Sequence, residues 1–435
     1  MRILFTTYPE RTHFLLLAPL AWALRTAGHE VRVAVQPKFA DVVTQAGLTA
    51  VPIGTDRDLW QYLGRLKEMA HAKKEWTEEW TGSKEVGWPT PYAAAEWEPE
   101  DVDWDYLRNG YELQIGQWHK QSNVPMISSL VEFAQSWQPD LVVWEPTTYA
   151  GAIAAKACGA AHARLLIGAD VYGITRDHFL RLTAERPKDD RADPMADWLG
   201  SYARKYGFEF SEELITGQFT IDMLPPSLRM RANLNYLPLR YTPYGGPAVV
   251  PKWLSTPPER TRVAITMGLT VTDRAVGYPV DVQDLFDALG DLDIEIVATI
   301  VEEEQKKLAR IPDNIRPVPY VPLQALLASC SAVIHHAGVG TLATTALQGL
   351  PQLSLPWDVD QPALAERLAA QGAGLAVHAA KATGAAVREN LLRLLNEPSF
   401  VQGAARLREE FLAMPTPNEL VPRLEELVAE HRGDG

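Results

Sequence analysis

The chain has 435 residues, enough for about two or three domains with sizeable cores. Its 41 Lys and Arg against 55 Asp and Glu give a formal charge of −14, which argues against a nucleic-acid partner, because duplex binding needs a basic face that displaces counterions. Two cysteines suit a reducing compartment, the apolar run in "MRILFTTYPE" is too short for a signal peptide, and no later run approaches a membrane span, so a cytoplasmic globular protein with no membrane partner is expected.

The first element is the apolar run "RILFTT". In the following "HFLLLAPLAWALRTAGHEVRVAV", Leu16, Leu20, Ala23, Leu24 and Ala27 recur at helical spacing, Gly28 stands where a C-terminal cap belongs, and "VRVAV" resumes a strand. This is a β-α-β opening. The segment 57–125 breaks the alternation and holds seven of the 13 tryptophans, Trp60, Trp76, Trp80, Trp88, Trp97, Trp104 and Trp118. It reads either as an insertion with its own aromatic core or as a surface for an apolar ligand or partner. A helix at roughly 126–137 leads into the strand "LVVW", and "HARLLIG" reads as another strand. Strands alternating with helices imply parallel sheets covered on both faces.

Residues 242–258, "TPYGGPAVVPKWLSTPP", carry five prolines and a glycine pair and read as a linker. Beyond it the same grammar restarts with "RVAITMG", "IEIVATI", "AVIHH", "QLSLP" and "LAVH". The expectation is an α/β protein of two Rossmann-like domains facing a cleft: residues 1–240 with the insertion 57–125, a linker at 241–260, a second domain at 261–415, and a C-terminal helix at 416–435 packing back on the first. Ligands of such sheets bind beyond the carboxyl ends of the strands.

One such end is "AVIHHAGVGTLATTAL". A strand stops at His335 and His336, the chain turns through Gly338 and Gly340, and a helix is predicted from near Thr341. The spacing is wrong for zinc, and Cys158 and Cys330 are the only thiols available to complete a ligand set. Glycines allow close backbone approach and the first turn of a helix favours negative charge, so the turn reads as an anion site with Thr341 and His336 as further donors, or else as a tight connection only. Further on, "SLPWDVDQPALAERL" places Asp358, Asp360 and Gln361 before a helix. Acid and amide together suit sugar hydroxyls; an N-cap acid with solvated neighbours is the plainer reading.

The order and spacing of "RPVPYVPLQALLASCSAVIHHAGVGTLATTALQGLPQLSLPWDVDQPALAERLAAQGAG" resemble the nucleotide-sugar signature of glycosyltransferases that include plant flavonoid and bacterial antibiotic enzymes. "THFLLLAPLAWALRTAGHEVRVAVQP", "PDLVVWEPTTYAGAIAA" and "RVAITMGLTVTDR" resemble the actinomycete branch that attaches amino- or deoxysugars to macrolides and anthracyclines. The resemblance implies an inverting, metal-independent transferase of the GT-B type that takes a thymidine diphosphate (dTDP) deoxysugar as donor and a polyketide aglycone as acceptor, with no resident cofactor. By position, Tyr320 stacks on the base and Val321 meets its edge. His336, Gly338, Gly340 and Thr341 form the diphosphate turn, Gly268 and Thr270 approach from the opposite loop, and Asp360 and Gln361 hold the sugar. Ala337 replaces a common glycine and Leu323 the glutamine of the plant signature. Thr344 stands where uridine-using plant members carry a ribose-binding glutamate, which favours a deoxyribose donor.

An acceptor hydroxyl needs a base. His13, just beyond the first strand, occupies the family's catalytic position, and Glu145 that of the acid orienting it. The leaving diphosphate would be met by the helix terminus and His336. Several related macrolide and anthracycline transferases act only with a cytochrome-like helper protein, so the resemblance implies either a helper docked on 57–125 or aromatics there that only line the acceptor pocket. A nucleotide-sugar 2-epimerase and a catalytically silent nucleotide-sugar-binding protein are the rival readings; a nicotinamide dehydrogenase would need glycines that "TTYPERTHF" lacks.

Overall fold

A computed structural model describes residues 1–56, 87–268 and 278–432. Thr270, Trp60, Trp76 and Trp80 lie outside the described residues. Thirteen strands form two sheets among them, and α1 to α12 denote the helices of eight residues or more.

The first sheet contains β1 (Arg2–Thr6), β2 (Glu30–Val35), β3 (Ala50–Pro52), β4 (Leu141–Trp144), β5 (Ala161–Leu165), β6 (Phe219–Asp222) and β7 (Tyr236–Pro238). All neighbours are parallel, in the order β3-β2-β1-β4-β5-β6-β7. Helices α1 (Arg11–Thr26), α2 (Trp104–Gln114), α3 (Lys120–Trp137), α4 (Ala150–Cys158), α5 (Val171–Glu185) and α6 (Pro194–Tyr206) cover it. Successive residues of β1 serve opposite layers: Ile3 and Phe5 join Phe14, Leu17, Leu20 and Leu24 of α1, while Leu4 joins Leu130 and Val131 of α3. A strand buried on both faces has no polar side to show, which is why "RILFT" reads as a continuous apolar run.

The second sheet contains β8 (Arg262–Thr266), β9 (Glu295–Thr299), β10 (Ile315–Val318), β11 (Ala332–His335), β12 (Gln352–Ser354) and β13 (Gly374–Ala376) in the parallel order β10-β9-β8-β11-β12-β13. Around it lie α7 (Val282–Leu289), α8 (Val339–Leu347), α9 (Gln361–Ala370), α10 (Gly384–Asn396) and α11 (Pro398–Leu412). The chain therefore holds two doubly wound parallel sheets. The last helix, α12 (Pro417–Arg432), lies on α1 and β5 and buries Leu420, Leu424 and Leu427 in the core of the first sheet. His29 Nε2, 3.0 Å from Glu425 Oε1, ties it there.

Each sheet reverses its winding once, between β1 and β4 and between β8 and β11. At such a switch point the following helices leave on opposite faces, opening a crevice at the carboxyl ends of the strands.

Two expectations need correction. The helix before β4 begins at Lys120 rather than near residue 126; it runs on through Pro125 and is preceded by a π-helical turn over Ile115–His119. Four strands, β3, β6, β7 and β10, were not anticipated. Three of these are edge strands or sheet ends of three or four residues, and β3, β7 and β10 each contain a proline, which an edge tolerates but an apolar-run reading discounts.

Candidate active site

At the first switch point the chain leaves β1 at Thr6 and enters α1 at Arg11, with His13 in the first turn of the helix. Glu145 is the residue directly after β4 and is fully buried. A buried carboxyl group is tolerated there because donors surround it. The Thr147 amide donates to Oε2 at 2.9 Å, the Thr147 hydroxyl to Oε1 at 2.7 Å, the Tyr8 amide to Oε1 at 3.3 Å, and the Thr148 hydroxyl also donates to Oε1. His13 Nδ1 lies 3.8 Å from Glu145 Oε2.

The structure thus brings His13 and Glu145 together, but at a separation beyond hydrogen-bonding range. The expected orienting hydrogen bond is replaced by a charge about one contact away, because backbone and threonine donors already hold the carboxylate. A second acid, unforeseen in the sequence, flanks the other ring nitrogen: Glu10 Oε2 is 3.9 Å from His13 Nε2. The signal was its position three residues before His13, one helical turn away. Tyr8, with its ring 6.3 Å from both His13 and Trp118, closes the apolar side.

The described part of the tryptophan-rich segment turns inward. Trp104 stacks on Phe179 at 4.7 Å, Trp88 meets Tyr172 edge-on, and Tyr92 packs 4.5 Å from Tyr172. The Tyr92 hydroxyl and His119 Nε2 are 2.5 Å apart, and burial pushes the His119 imidazole down to about 3, so that it is neutral. Trp97 alone of the described tryptophans of this segment is exposed. Trp104 belongs to the aromatic core behind the site, and the half-buried Trp88 packs against that core.

At the second switch point the two histidines divide. His335, on the last position of β11, accepts from the Ala337 amide through Nδ1 at 2.9 Å and faces Gln352 Oε1 through Nε2 at 2.7 Å. An acceptor at Nδ1 places the proton on Nε2. Burial, with the neighbouring His336, pushes this ring down to about 3. His335 is a neutral strut that draws Ala337 into the left-handed region, φ 66°.

His336 points toward the site. Its ring lies between Gly268 and Gly338, and a Cβ on either glycine would come within 2.4 Å of it. Gly338 therefore makes room for the His336 imidazole at this turn. Burial lowers the His336 pKa to about 4, opposed by the Thr266 backbone, so the ring is neutral and carries no fixed positive charge. Helix α8 begins at Val339, two residues before Thr341, and no side chain caps it. The first-turn N–H groups of Val339, Gly340 and Thr341 are thus left without a side-chain cap.

The third loop follows β12. Val359 adopts φ 51°, a costly conformation for a β-branched residue, and Asp360 and Gln361 stand at the start of α9. Gln361 Oε1 accepts from the Trp357 amide at 3.2 Å, leaving its NH₂ group as donor. Burial, then Asp358 and Glu96, raise the Asp360 carboxyl to about 7, against backbone amides that include Ala169. Tyr320 is exposed with its hydroxyl 3.4 Å from the Gly245 carbonyl, and Val321 is buried beneath it. The Thr344 hydroxyl is engaged by the Gly340 carbonyl at 2.6 Å and the Tyr241 hydroxyl at 3.2 Å.

The geometry offers a nitrogen base near a buried acid at one crevice, and glycines, a neutral imidazole and an uncapped helix at the other. Comparison with known proteins agrees. The models of the erythromycin biosynthesis protein CIII-like N-terminal and C-terminal domains match residues 22–268 and 283–427. The chain is 45% identical to a 10-deoxymethynolide desosaminyltransferase of Streptomyces venezuelae, over 99% of this chain and 98% of that protein. It is 43% identical to an aclacinomycin-T 2-deoxy-L-fucose transferase of Streptomyces galilaeus, over 100% and 98%. Among solved structures, the glycosyltransferase VinC in complex with dTDP superimposes with a TM-score of 0.85 at 39% identity, over 99% of this chain and 100% of that one.

Proposed function

Because the chain belongs to the erythromycin biosynthesis protein CIII-like family and is a glycosyltransferase that moves a sugar to an aglycone, we propose that its donor is a dTDP-deoxysugar, aminodeoxysugars included, and its acceptor a polyketide hydroxyl. The observation that carries this reading is the division of labour between the two switch points. His13 stands within reach of the buried Glu145 charge at one, and the uncapped α8 with His336 faces the other.

In the proposed mechanism His13 takes the acceptor proton as the oxygen attacks the anomeric carbon. Glu145 and Glu10, each just under 4 Å from a ring nitrogen, stabilise the imidazolium that forms. The nucleoside diphosphate departs toward the Val339, Gly340 and Thr341 amides, which donate hydrogen bonds to developing charge beside the neutral His336 ring. Attack and departure on opposite faces invert the anomeric centre. Gly268 and Gly338 seat the His336 ring beside the diphosphate, Tyr320 and Val321 hold the base, and Asp360 and Gln361 hold the sugar; the mechanism calls for no metal or resident cofactor. Selection of deoxyribose is supported by the Thr344 hydroxyl, whose engagement with Gly340 and Tyr241 leaves a ribose 2′-OH without a strong acceptor.

The test is a mass-spectrometric screen of dTDP-deoxysugars and their uridine counterparts against a polyketide panel, with anomeric configuration read by NMR. Transfer from dTDP donors with inversion is expected. Retention, or transfer from uridine donors alone, would overturn the mechanism or the donor assignment respectively. Repeating the assay with a helper protein decides the partner: full activity of the chain alone removes the need for one.

A further inference from the structure

Gly168 lies in the loop 166–170 after β5, in the first domain, yet what it faces belongs to the second. A Cβ built on it would stand 2.2 Å from Asp360 Oδ2, 3.2 Å from Asp360 Cγ and 3.7 Å from Val339 Cγ2. Its φ lies outside the left-handed region, so glycine is needed here for space and not for backbone conformation. Asp360 and Val339 begin the two helices, α9 and α8, that carry the donor side of the site. One glycine of the acceptor half therefore meets both donor-binding helix starts.

The loop cannot easily yield. Asp170, fully buried, accepts from the Arg164 guanidinium at 2.5 Å, from the Tyr236 hydroxyl at 2.6 Å and from the Gly173 amide at 2.9 Å. Arg164 is buried as well, and Leu166 is bonded to β6 through the Ile221 carbonyl at 2.9 Å. A pinned loop transmits a steric change at residue 168 across the cleft instead of absorbing it.

We infer that Gly168 is a positioning residue for sugar transfer: its missing side chain sets how closely the acceptor half approaches Asp360 and Val339, and so the distance between the sugar held at α9 and the acceptor oxygen beside His13. This rests on the reading of Asp360 as the sugar-holding acid. The Ala169 amide, which favours the charged form of the Asp360 carboxyl, already belongs to the acceptor half, so the contact is polar as well as steric.

The Gly168→Ala variant tests it, with kcat, KM for donor, dTDP affinity by calorimetry and melting temperature measured together. Expected is a loss of roughly 10- to 100-fold in kcat, the scale of a misplacement of about 1 Å. Nucleotide affinity should stay within about twofold, because the nucleotide is held by the other half. Unchanged kcat would overturn the inference, as would parallel losses in rate, nucleotide affinity and melting temperature, which mark a structural role. A second variant keeps the test independent of folding: in an Asp360→Ala background, Gly168→Ala should cost no further rate, since the atom it strikes is gone. A full multiplicative loss would show that the Cβ acts elsewhere. If the unaltered chain transferred no sugar from any nucleotide donor, the functional reading itself would have failed, which is a distinct result.

Discussion

At the end of β1 the chain turns into α1 without a single glycine, and the site there is made of side chains: His13, Glu10, Glu145 and the threonines that hold it. At the end of β11 two glycines close around an imidazole and the exposed chemistry is the backbone of a helix start. The difference fits what each end is proposed to handle. A proton is exchanged at one atom, and a titrating side chain aimed at that atom suffices. A diphosphate spreads its charge over many oxygens, which several amides in one turn match better than a single group.

The contrast breaks most visibly at His13. His13→Ala should lower turnover by about 10²–10⁴ while dTDP binding, measured by calorimetry, is little changed. Glu145→Gln should lose less, because the carboxylate lies 3.8 Å from the ring and acts through its charge without a hydrogen bond. Equal losses for the two variants would mean that the pair works in contact, and full activity of His13→Ala would remove the base from the first region altogether.

Stability against pH sharpens the comparison next. His335 and His336 in the second region, and His119, His162 and His178 in the first, are all held below the ordinary histidine range by burial. A group whose folded pKa is depressed binds its proton more readily when unfolded, so stability is complete above about pH 6.5 and is lost as pH falls toward 4. Each deeply buried ring contributes up to about 1.4 kcal/mol per pH unit in that window. Asp360, Asp222 and Glu96, all raised by burial, act in the opposite direction, gaining as they protonate. Five histidines against three acids predict a net loss, read as a falling urea midpoint between pH 6.5 and 4.5. A flat or rising midpoint would show that the rings are not neutral in the folded state.

The smallest expected effect concerns the strain at Ala337. Alanine at φ 66° costs roughly 1–2 kcal/mol, part of which Ala337→Gly recovers against the greater freedom of the unfolded chain. A gain of up to about 1 kcal/mol in thermal unfolding is expected. A loss would mean that the Ala337 methyl, fully buried, packs better than its backbone suffers.

Much of the architecture was legible because it is written in short-range patterns. Continuous apolar runs marked the central strands β1, β4, β8 and β11, helical spacing marked α1, and Gly28, at φ 94°, stood where its end was expected. The edge strands were not legible, since β7 and β10 carry prolines at Pro238 and Pro317 and offer no run to see. The residues of both crevices could be named for the same local reason: each lies immediately after a strand, and the strand is visible.

What the sequence by itself determined is therefore the pair of parallel sheets, the loops where chemistry gathers and the residue types placed in them. Only the tertiary structure decided what those residues do to one another. It set Glu145 beyond hydrogen-bonding range of His13, brought Glu10 to the other nitrogen, lodged His336 between Gly268 and Gly338, made His335 a strut, and pressed Asp360 against Gly168 from the other domain. Strand and helix formation depend on neighbours within a few positions, which a linear text records. Distances between Gly168 and Asp360, or His13 and Glu145, depend on how separately formed layers pack, and a few tenths of an ångström of packing decide whether two groups share a proton, share a charge or exclude a methyl group.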